Sequence, residues 1–557
     1  MQVNSLILQT QAIGPLPIIQ HFLDVLQLRE ILAQSRCLQA YVPALELLVK
    51  SLLVEPNALY RVRQWSQPYD PRWIGPGTIG DDAIGRALDR LFETDRASLL
   101  TRLVLSALEH FDLDTSRIHN DSTSIKLSGA YAQQHPKAIQ LRRGFSKDHR
   151  PDLKQLVYSL SVSADGAIPI HYKAYDGNQT DDPTHWQTWQ ALCRLLGKSD
   201  FIHVADSKLC VHETLLQIDG QHGRFVTILP RTRCEVGAFA DDCLANRIRW
   251  APLWRHRCPR HKSRWDVFEL APGFFQMQEG FGLNWYRSSE KRRRDHDQRE
   301  EHIAAALQRL EHLNNPKRRG RKNAPTLQKT ANQVLAKHHA QDWIAVQIQL
   351  QETVSFQQSH RGRATQRTTY RRAMKQIAKV QAQRNLAGIA RAQAMDGIFP
   401  LATNTQLTPL QVLKAYKYQP HLEKRHSLFK SLLEVSPVFL KKNTRIEAFI
   451  FVYFVAQLVA SLIERTVRQN MARQGRKDLP ILPEGRPSKH PSAGQILETF
   501  ARRSQHLLYE GSSLIKTFVE PLREIEKLVL ALLDLPQDRY LQPSPSACHS
   551  HEEPLKH

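Results

Sequence analysis

Glu423 and Lys430 stand seven residues apart in the stretch Ala415-Tyr-Lys-Tyr-Gln-Pro-His-Leu-Glu-Lys-Arg-His-Ser-Leu-Phe-Lys430. A helical residue turns by about 100°, so seven residues return to within about 20° of the starting direction, and the carboxylate and ammonium share a face. Leu422, Phe429, Leu432 and Leu433 make the neighbouring apolar stripe. On the rim of such a helix the carboxylate can reach toward a metal ion and the ammonium toward a phosphate. Acidic and basic residues at helical spacing also make ordinary solvated faces, so this chemistry needs further acids upstream. Asp121 lies in the Ile-, Ser- and Thr-rich segment from Arg117 to Leu127, and Asp206 follows the apolar run from Phe201 to Ala205. Two or three carboxylates suit Mg²⁺, a hard ion that takes oxygen ligands and keeps waters and phosphate oxygens. Two such ions about 3.5–4 Å apart activate the attacking oxygen and stabilise the leaving one in phosphodiester displacement. Attack by water nicks a strand; attack by a released 3′-hydroxyl joins strands at the same residues.

The elements that must position these acids can be read around them. Residues 1 to 115 read as helices, with Ile18, Ile19, Phe22, Leu23 and Leu26 at helical spacing and Asp81 and Asp95 as N-caps. Arg117 to Leu127, Leu156 to Ser163 and Ile168 to Tyr175 read as three antiparallel strands, the last two joined at Ala-Asp165-Gly166-Ala. A helix through Trp186, Trp189 and Leu192, a buried strand ending at Asp206, a short helix from Thr214 to Ile218 and a strand from Arg224 to Leu229 complete the order β-β-β-α-β-α-β. That is the order of the ribonuclease-H-like fold, in which the first and fourth strands are neighbours and would bring Asp121 and Asp206 together. The fold expected is therefore α/β: a ribonuclease-H-like domain in two parts, 116–230 and 396–470, interrupted by a basic insertion at 231–395. A helical domain at 1–115 precedes it, and a linker, helical extension and polar tail at 471–557 follow. Pro420 sets the start of the Glu423 helix, leaving Tyr416 and Gln419 on the entering turn.

Length allows three or four domains and 41% hydrophobic residues are ample for cores. With 77 Lys and Arg against 54 acidic residues, the net charge of +23 points to a polyanionic partner, nucleic acid first. Arg292 and Arg293 within Glu290-Lys-Arg-Arg-Arg294, Arg318 and Arg319 within Asn315–Lys322, and the run from Arg361 to Arg372 make the insertion a candidate phosphate-contacting arm. Seven cysteines without a C-x-x-C pair fit a reducing cytosol, and His256, Cys258 and His261 lack the second matched pair a zinc site needs. The N-terminus has no signal-peptide pattern. Ala448 to Ile463 is apolar but short for a bilayer and reads as a buried helix.

The chain resembles the DDE transposases of bacterial insertion sequences, in the insertion-sequence-four superfamily. Their last catalytic helix carries the signature Y-(2)-R-(3)-E-(6)-K, whose positions are held here by Tyr416, Gln419, Glu423 and Lys430. His119-Asn-Asp121-Ser-Thr123 and Val204-Ala-Asp206-Ser resemble the family's first and second acid motifs. Gly144 to Lys154, Asp176-Gly-Asn178 and Asp396 to Leu401 resemble further elements of one subgroup. The resemblance implies Asp121, Asp206 and Glu423 as catalytic and metal-binding residues, Mg²⁺ with Mn²⁺ able to substitute, and double-stranded DNA as partner, both terminal inverted repeats and target. It also implies a homodimer on DNA and a place in the bacterial cytosol, with no membrane partner. Tyr416, Gln419, Lys430 and the four arginines are the expected DNA contacts. Gln419 departs from the signature: a neutral amide lacks the charge and bidentate fork of Arg, and Lys424 or Arg425 could compensate. The alternatives are a structure-specific nuclease of the same fold and a non-catalytic DNA-binding relic of a transposase.

Overall fold

Arg-Ile-His-Asn-Asp-Ser-Thr-Ser-Ile-Lys-Leu, residues Arg117–Leu127, forms β1, the third of five consecutive hydrogen-bonded strands within a larger sheet. Its β-branched residues suit a pleated surface packed on both sides. The antiparallel partner β2 (Lys154–Ser163) sets Asp121 against Leu160 and is buried along nearly its whole length. β3 (Pro169–Tyr175) pairs with β2 through a turn in which Gly166 takes φ +82°, a conformation glycine adopts without strain. On the other side, β4 (Ile202–Ala205) runs parallel to β1, and β5 (Arg224–Ile228) parallel to β4. The spatial order is β3-β2-β1-β4-β5. Parallel neighbours need crossovers, and the helices Thr184–Leu196 and His212–Gly220 supply them.

The structure is a computed structural model that describes residues 6–75, 79–127, 129–144, 152–179, 184–258, 263–315, 323–435 and 440–541, with the backbone alone at 375 and 429–435. The chain divides into two compact units, Met1–Thr227 with Lys414–His557, and Ile228–Leu413.

In the first unit the helix Gln419–Val435 packs on β1, and the 31-residue helix Asn443–Arg473 packs on β3 and on the N-terminal helices Val42–Val54 and Asp81–Glu93. The long helix is apolar and long enough to cross a membrane, but 89% of its most apolar window is buried inside the protein, as expected for a core helix. Arg445 clamps Asp89 at 2.8 and 2.6 Å, which fixes the long helix against Asp81–Glu93. Asp95 caps its helix as expected by accepting from the Ser98 amide, whereas Asp81 is already helical and Gly80 precedes it.

Two expectations are corrected here. Residues 1 to 115 are not helical throughout: Leu6–Ala12 is a strand, paired with Ser504–Glu510. The extension expected within 471–557 is not wholly helical: it holds a strand, Ser513–Val519, before the helix Glu524–Leu532, the two separated around Pro521. The three strands form one small sheet, whose N-terminal member mostly faces outward. Its hydrogen bonds come from the far end of the chain, so no local pattern announces it.

The second unit is more ordered than its sequence suggests. Ile398–Thr403, Gly282–Ser288, Trp265–Leu270 and Ala251–Arg257 follow one another in an antiparallel sheet. The helices Ser289–Leu313 and Ala324–Lys337 come next in the chain, then a two-stranded ribbon of β6 (Ile344–Gln358) and β7 (Tyr370–Arg384). Ile303, Ala306, Leu310, Leu327 and Ala331 of the helices share a core with Ile344, Ala378 and Val380 of the ribbon.

Candidate active site

The parallel pairing of β1 with β4 positions the first two acids. Arg117 faces Ile202 and His119 faces Val204; Asp121 lies two residues beyond that last pair on one strand, and Asp206 two residues beyond it on the other chain segment. Asp121 Oδ1 accepts from the amide of Ser122 at 2.8 Å. Asp206 follows β4 and caps a single 3₁₀ turn, accepting from the amide of Lys208 at 3.0 Å, while its carbonyl accepts from the Thr227 hydroxyl at 2.7 Å. Backbone and side chain of Asp206 are thus both held, while its side chain stays 41% exposed.

The third acid comes from the helix that lies on β1. Glu423 is exposed, in the second turn of Gln419–Val435. Lys430 is on the same helix, but its side chain lies outside the described residues. Tyr416 ends the preceding helix, Pro409–Tyr416, and its phenol registers all three acids: burial first, then the charges of Asp206, Asp121 and Glu423, push it up to about 12. A half-buried neutral hydroxyl therefore stands within the combined field of the three carboxylates. Among the described residues no three His, Cys, Asp or Glu side chains form a group that could hold a metal ion.

Gln419 needs a correction. It is buried, not facing a phosphate: its Nε2 donates to the carbonyl of Asn120 at 3.1 Å, and its Oε1 lies 3.0 Å from His119 Nδ1. Burial holds the His119 ring down at about 4, so it is neutral, and a neutral amide is the matching partner. This residue joins the Glu423 helix to the Asp121 strand. Arg425 does not compensate for a missing charge either. It is buried, paired with Glu464 at 2.9 Å and donating to the carbonyls of Gly166 and Ala167, which locks the helix to the β2–β3 turn. Lys424 is exposed.

The sequence reading missed a buried histidine beside the site. His185, on the crossover helix, is buried and points Nε2 at Asp206 Oδ1 across 3.6 Å. His203 of β4 lies next to it, rings 6.4 Å apart, and burial pushes its ring down to about 3. A Thr-His-Trp segment opening a helix gives no warning of this placement. Asn120 is buried as well and donates to Ser159, Leu160 and Ser161, which fixes β1 on β2 one residue before Asp121.

The remaining candidates lie elsewhere. In the second unit Arg292 and Arg293 sit in the first turns of Ser289–Leu313 and line a pocket with Arg287, Glu269 and His296. Arg293 pairs with Glu290 and Arg287 with Glu269, so part of this positive charge is neutralised locally. Arg318 and Arg319 lie outside the described residues, as do residues 145–151 of the Gly144 to Lys154 motif and His261. Asp176 serves as a loop clasp, accepting from the Gln140 amide, and Asp165 pairs with Arg465 of the long helix as well as sitting in its turn.

No protein-family model and no curated protein matches this chain. Among solved structures, one similar to it is the piggyBac transposase synaptic complex with hairpin DNA, at 9% identity over 83% of this chain and 70% of that one, with a TM-score of 0.36. At that score and identity the likeness bears no weight, and the reading rests on the residues themselves.

Proposed function

We propose that this protein is a DDE transposase that cuts DNA at the ends of an insertion sequence and transfers the released strands, using Asp121, Asp206 and Glu423. The observation that carries the proposal is the juxtaposition of three separate elements: β1 bearing Asp121, the end of its parallel neighbour β4 followed by Asp206, and the Glu423 helix packed on β1. Strand order supports it too, since three antiparallel strands followed by two parallel ones, with first beside fourth, is the arrangement expected of a ribonuclease-H-like nuclease.

Three carboxylates and no thiolate have the donor chemistry a hard divalent ion takes, Mg²⁺ or Mn²⁺, but in this structure they do not stand together as a ready site. Bound there, such an ion would supply positive charge to the phosphate being attacked. The chain's own groups do the rest. The Ser122 and Lys208 amides orient the first two carboxylates, and His185 limits the sweep of the second. Tyr416, kept protonated, offers a donor to a non-bridging phosphate oxygen. The internal bonds of Gln419 remove the main reason for reading the chain as a non-catalytic relic.

Purified protein with Mg²⁺ and a duplex carrying the inverted repeats that flank its gene is expected to cut at the repeat ends. Asp206→Asn should abolish cutting while leaving DNA affinity within about twofold, and Tyr416→Phe should slow it about tenfold to a hundredfold by removing one donor. Cutting retained by Asp206→Asn would sink the assignment. Preference for a four-way junction over the repeat ends would instead favour a structure-specific nuclease.

A further inference from the structure

The ribbon of β6 and β7 pairs fifteen residues on each strand, from Ile344 opposite Arg384 to Gln358 opposite Tyr370. At about 3.4 Å per residue it extends roughly 50 Å. Directly opposed residues share a face, and the two faces differ in kind. One is apolar: Ile344, Val346 and Ile348 with Ala378, Val380 and Ala382 at the base, where they pack on the two helices. The other carries Gln347, Gln349, Gln351 and Gln357 on β6, with Lys379, Gln381, Gln383 and Arg371 on β7. Nearly all of these are exposed. From Ile344 to Arg384 the ribbon and its tip hold eight Lys and Arg against one acid, Glu352, and nine glutamines in 41 residues.

We infer that the glutamine face of this ribbon is a sequence-reading contact in the major groove of duplex DNA. The inference rests on the transposase reading for the class of partner, but not on any catalytic residue. A major groove about 12 Å wide admits a two-stranded ribbon, and a primary amide can donate to adenine N7 and accept from adenine N6 at once. Gln349 donates to Gln381 across the ribbon, which leaves the second amide hydrogen of Gln349 and the amide nitrogen of Gln381 to face outward; with Gln347 and Gln351 on either side, these amides meet base edges along the groove, with Arg371 and Lys379 beside them to reach phosphates. Exposed Arg361, Arg363 and Arg367 at the tip extend the positive charge past the groove. Lysines and arginines alone would give affinity without sequence preference; the amides between them supply the preference. Duplex RNA does not fit this surface, because its major groove is too narrow and deep for a ribbon.

The test uses the full-length chain without divalent metal. A randomised duplex library is selected on the protein, and the enriched duplex, its scrambled counterpart and the matching RNA duplex are titrated at several salt concentrations. Gln347→Ala/Gln349→Ala/Gln351→Ala should cut the preference for enriched over scrambled DNA by about tenfold or more, with affinity for scrambled DNA kept. Arg371→Ala/Lys379→Ala should weaken both and lower the slope of log affinity on log salt by about one to two. Both variants change only exposed side chains, and an unchanged urea midpoint confirms their folding. Unaltered preference and slope in both would overturn the inference, and so would equal affinity for the RNA duplex. A change in self-association on replacing Phe356 and Met374, with DNA preference unmoved by the glutamine variant, would assign the ribbon to a second copy and overturn it as well. If ribbon variants bind and cut like the parent, this inference alone fails; if the parent binds no duplex, the transposase reading fails with it.

Discussion

Gln419 shows how one side chain decides between two accounts of a site. Aligned on a signature, it is a missing arginine; in the fold it is a buried amide bridging His119 and the Asn120 carbonyl. A guanidinium placed there would meet a neutral imidazole in a dry interior with no carboxylate provided for it. Gln419→Arg is therefore expected to lower stability by about 2–4 kcal/mol, read as a fall in the urea midpoint, and to reduce activity with it. An unchanged midpoint with faster cutting would restore the view that this position awaits an arginine. Asp206 could be picked out in the sequence because it ends a strand-like run, Asp121 because it lies in the neighbouring strand-like segment, and Glu423 because of its helical spacing from Lys430. His119, His185 and His203 could not, because a lone histidine among apolar residues looks the same whether it packs a core or borders a site.

At the scale of elements, the long helix Ser289–Leu313 depends on a pair that its own sequence does not reveal. Arg299 makes a bidentate bridge to Asp396, 2.7 Å at both oxygens, with the two side chains 3% and 7% exposed. Gly397 follows with φ +78°, and a Cβ there would fall 2.5 Å from the Ser288 carbonyl, so the turn carrying Asp396 is fixed closely against the helix start. Arg299→Ala leaves a buried carboxylate without its partner and should destabilise the unit by about 3–5 kcal/mol. Arg299→Ala/Asp396→Ala should recover a good part of that loss, because no charge is then stranded; a double variant as unstable as the single one would count against the pair. The motif around Asp396 was visible in sequence, but its partner 97 residues earlier was not. An arginine inside a run of charged helical residues reads as solvated until the fold buries it.

For the whole molecule, pH dependence of stability follows from His203. Burial lowers its folded-state value to about 3 from the ordinary 6.5. Above pH 6.5 the ring is neutral in both states and its contribution is complete. Below that the unfolded chain takes up a proton the folded chain refuses, so stability declines as pH falls toward 3. By pH 5 this one ring accounts for about 2 kcal/mol. Urea midpoints at pH 7 and pH 5 should differ less for His203→Phe than for the parent, and equal differences would show that the ring is not held neutral.

By itself the sequence determined the order of strands and helices around Asp121 and Asp206, the buried character of the 448–463 stretch and the positive charge of the ribbon. All three are local: they depend on alternation, helical period and composition, which a short window displays. The tertiary structure alone decided which distant groups meet. Leu6–Ala12 finds its hydrogen bonds at Ser504–Glu510, Arg425 finds Glu464, and Gln419 finds His119 300 residues away. A backbone edge or a buried polar group must be satisfied by something, but its own neighbours do not state by what. Only when β1 and β4 lie side by side, with the Glu423 helix on β1, do acids from three parts of the chain act together on one tyrosine.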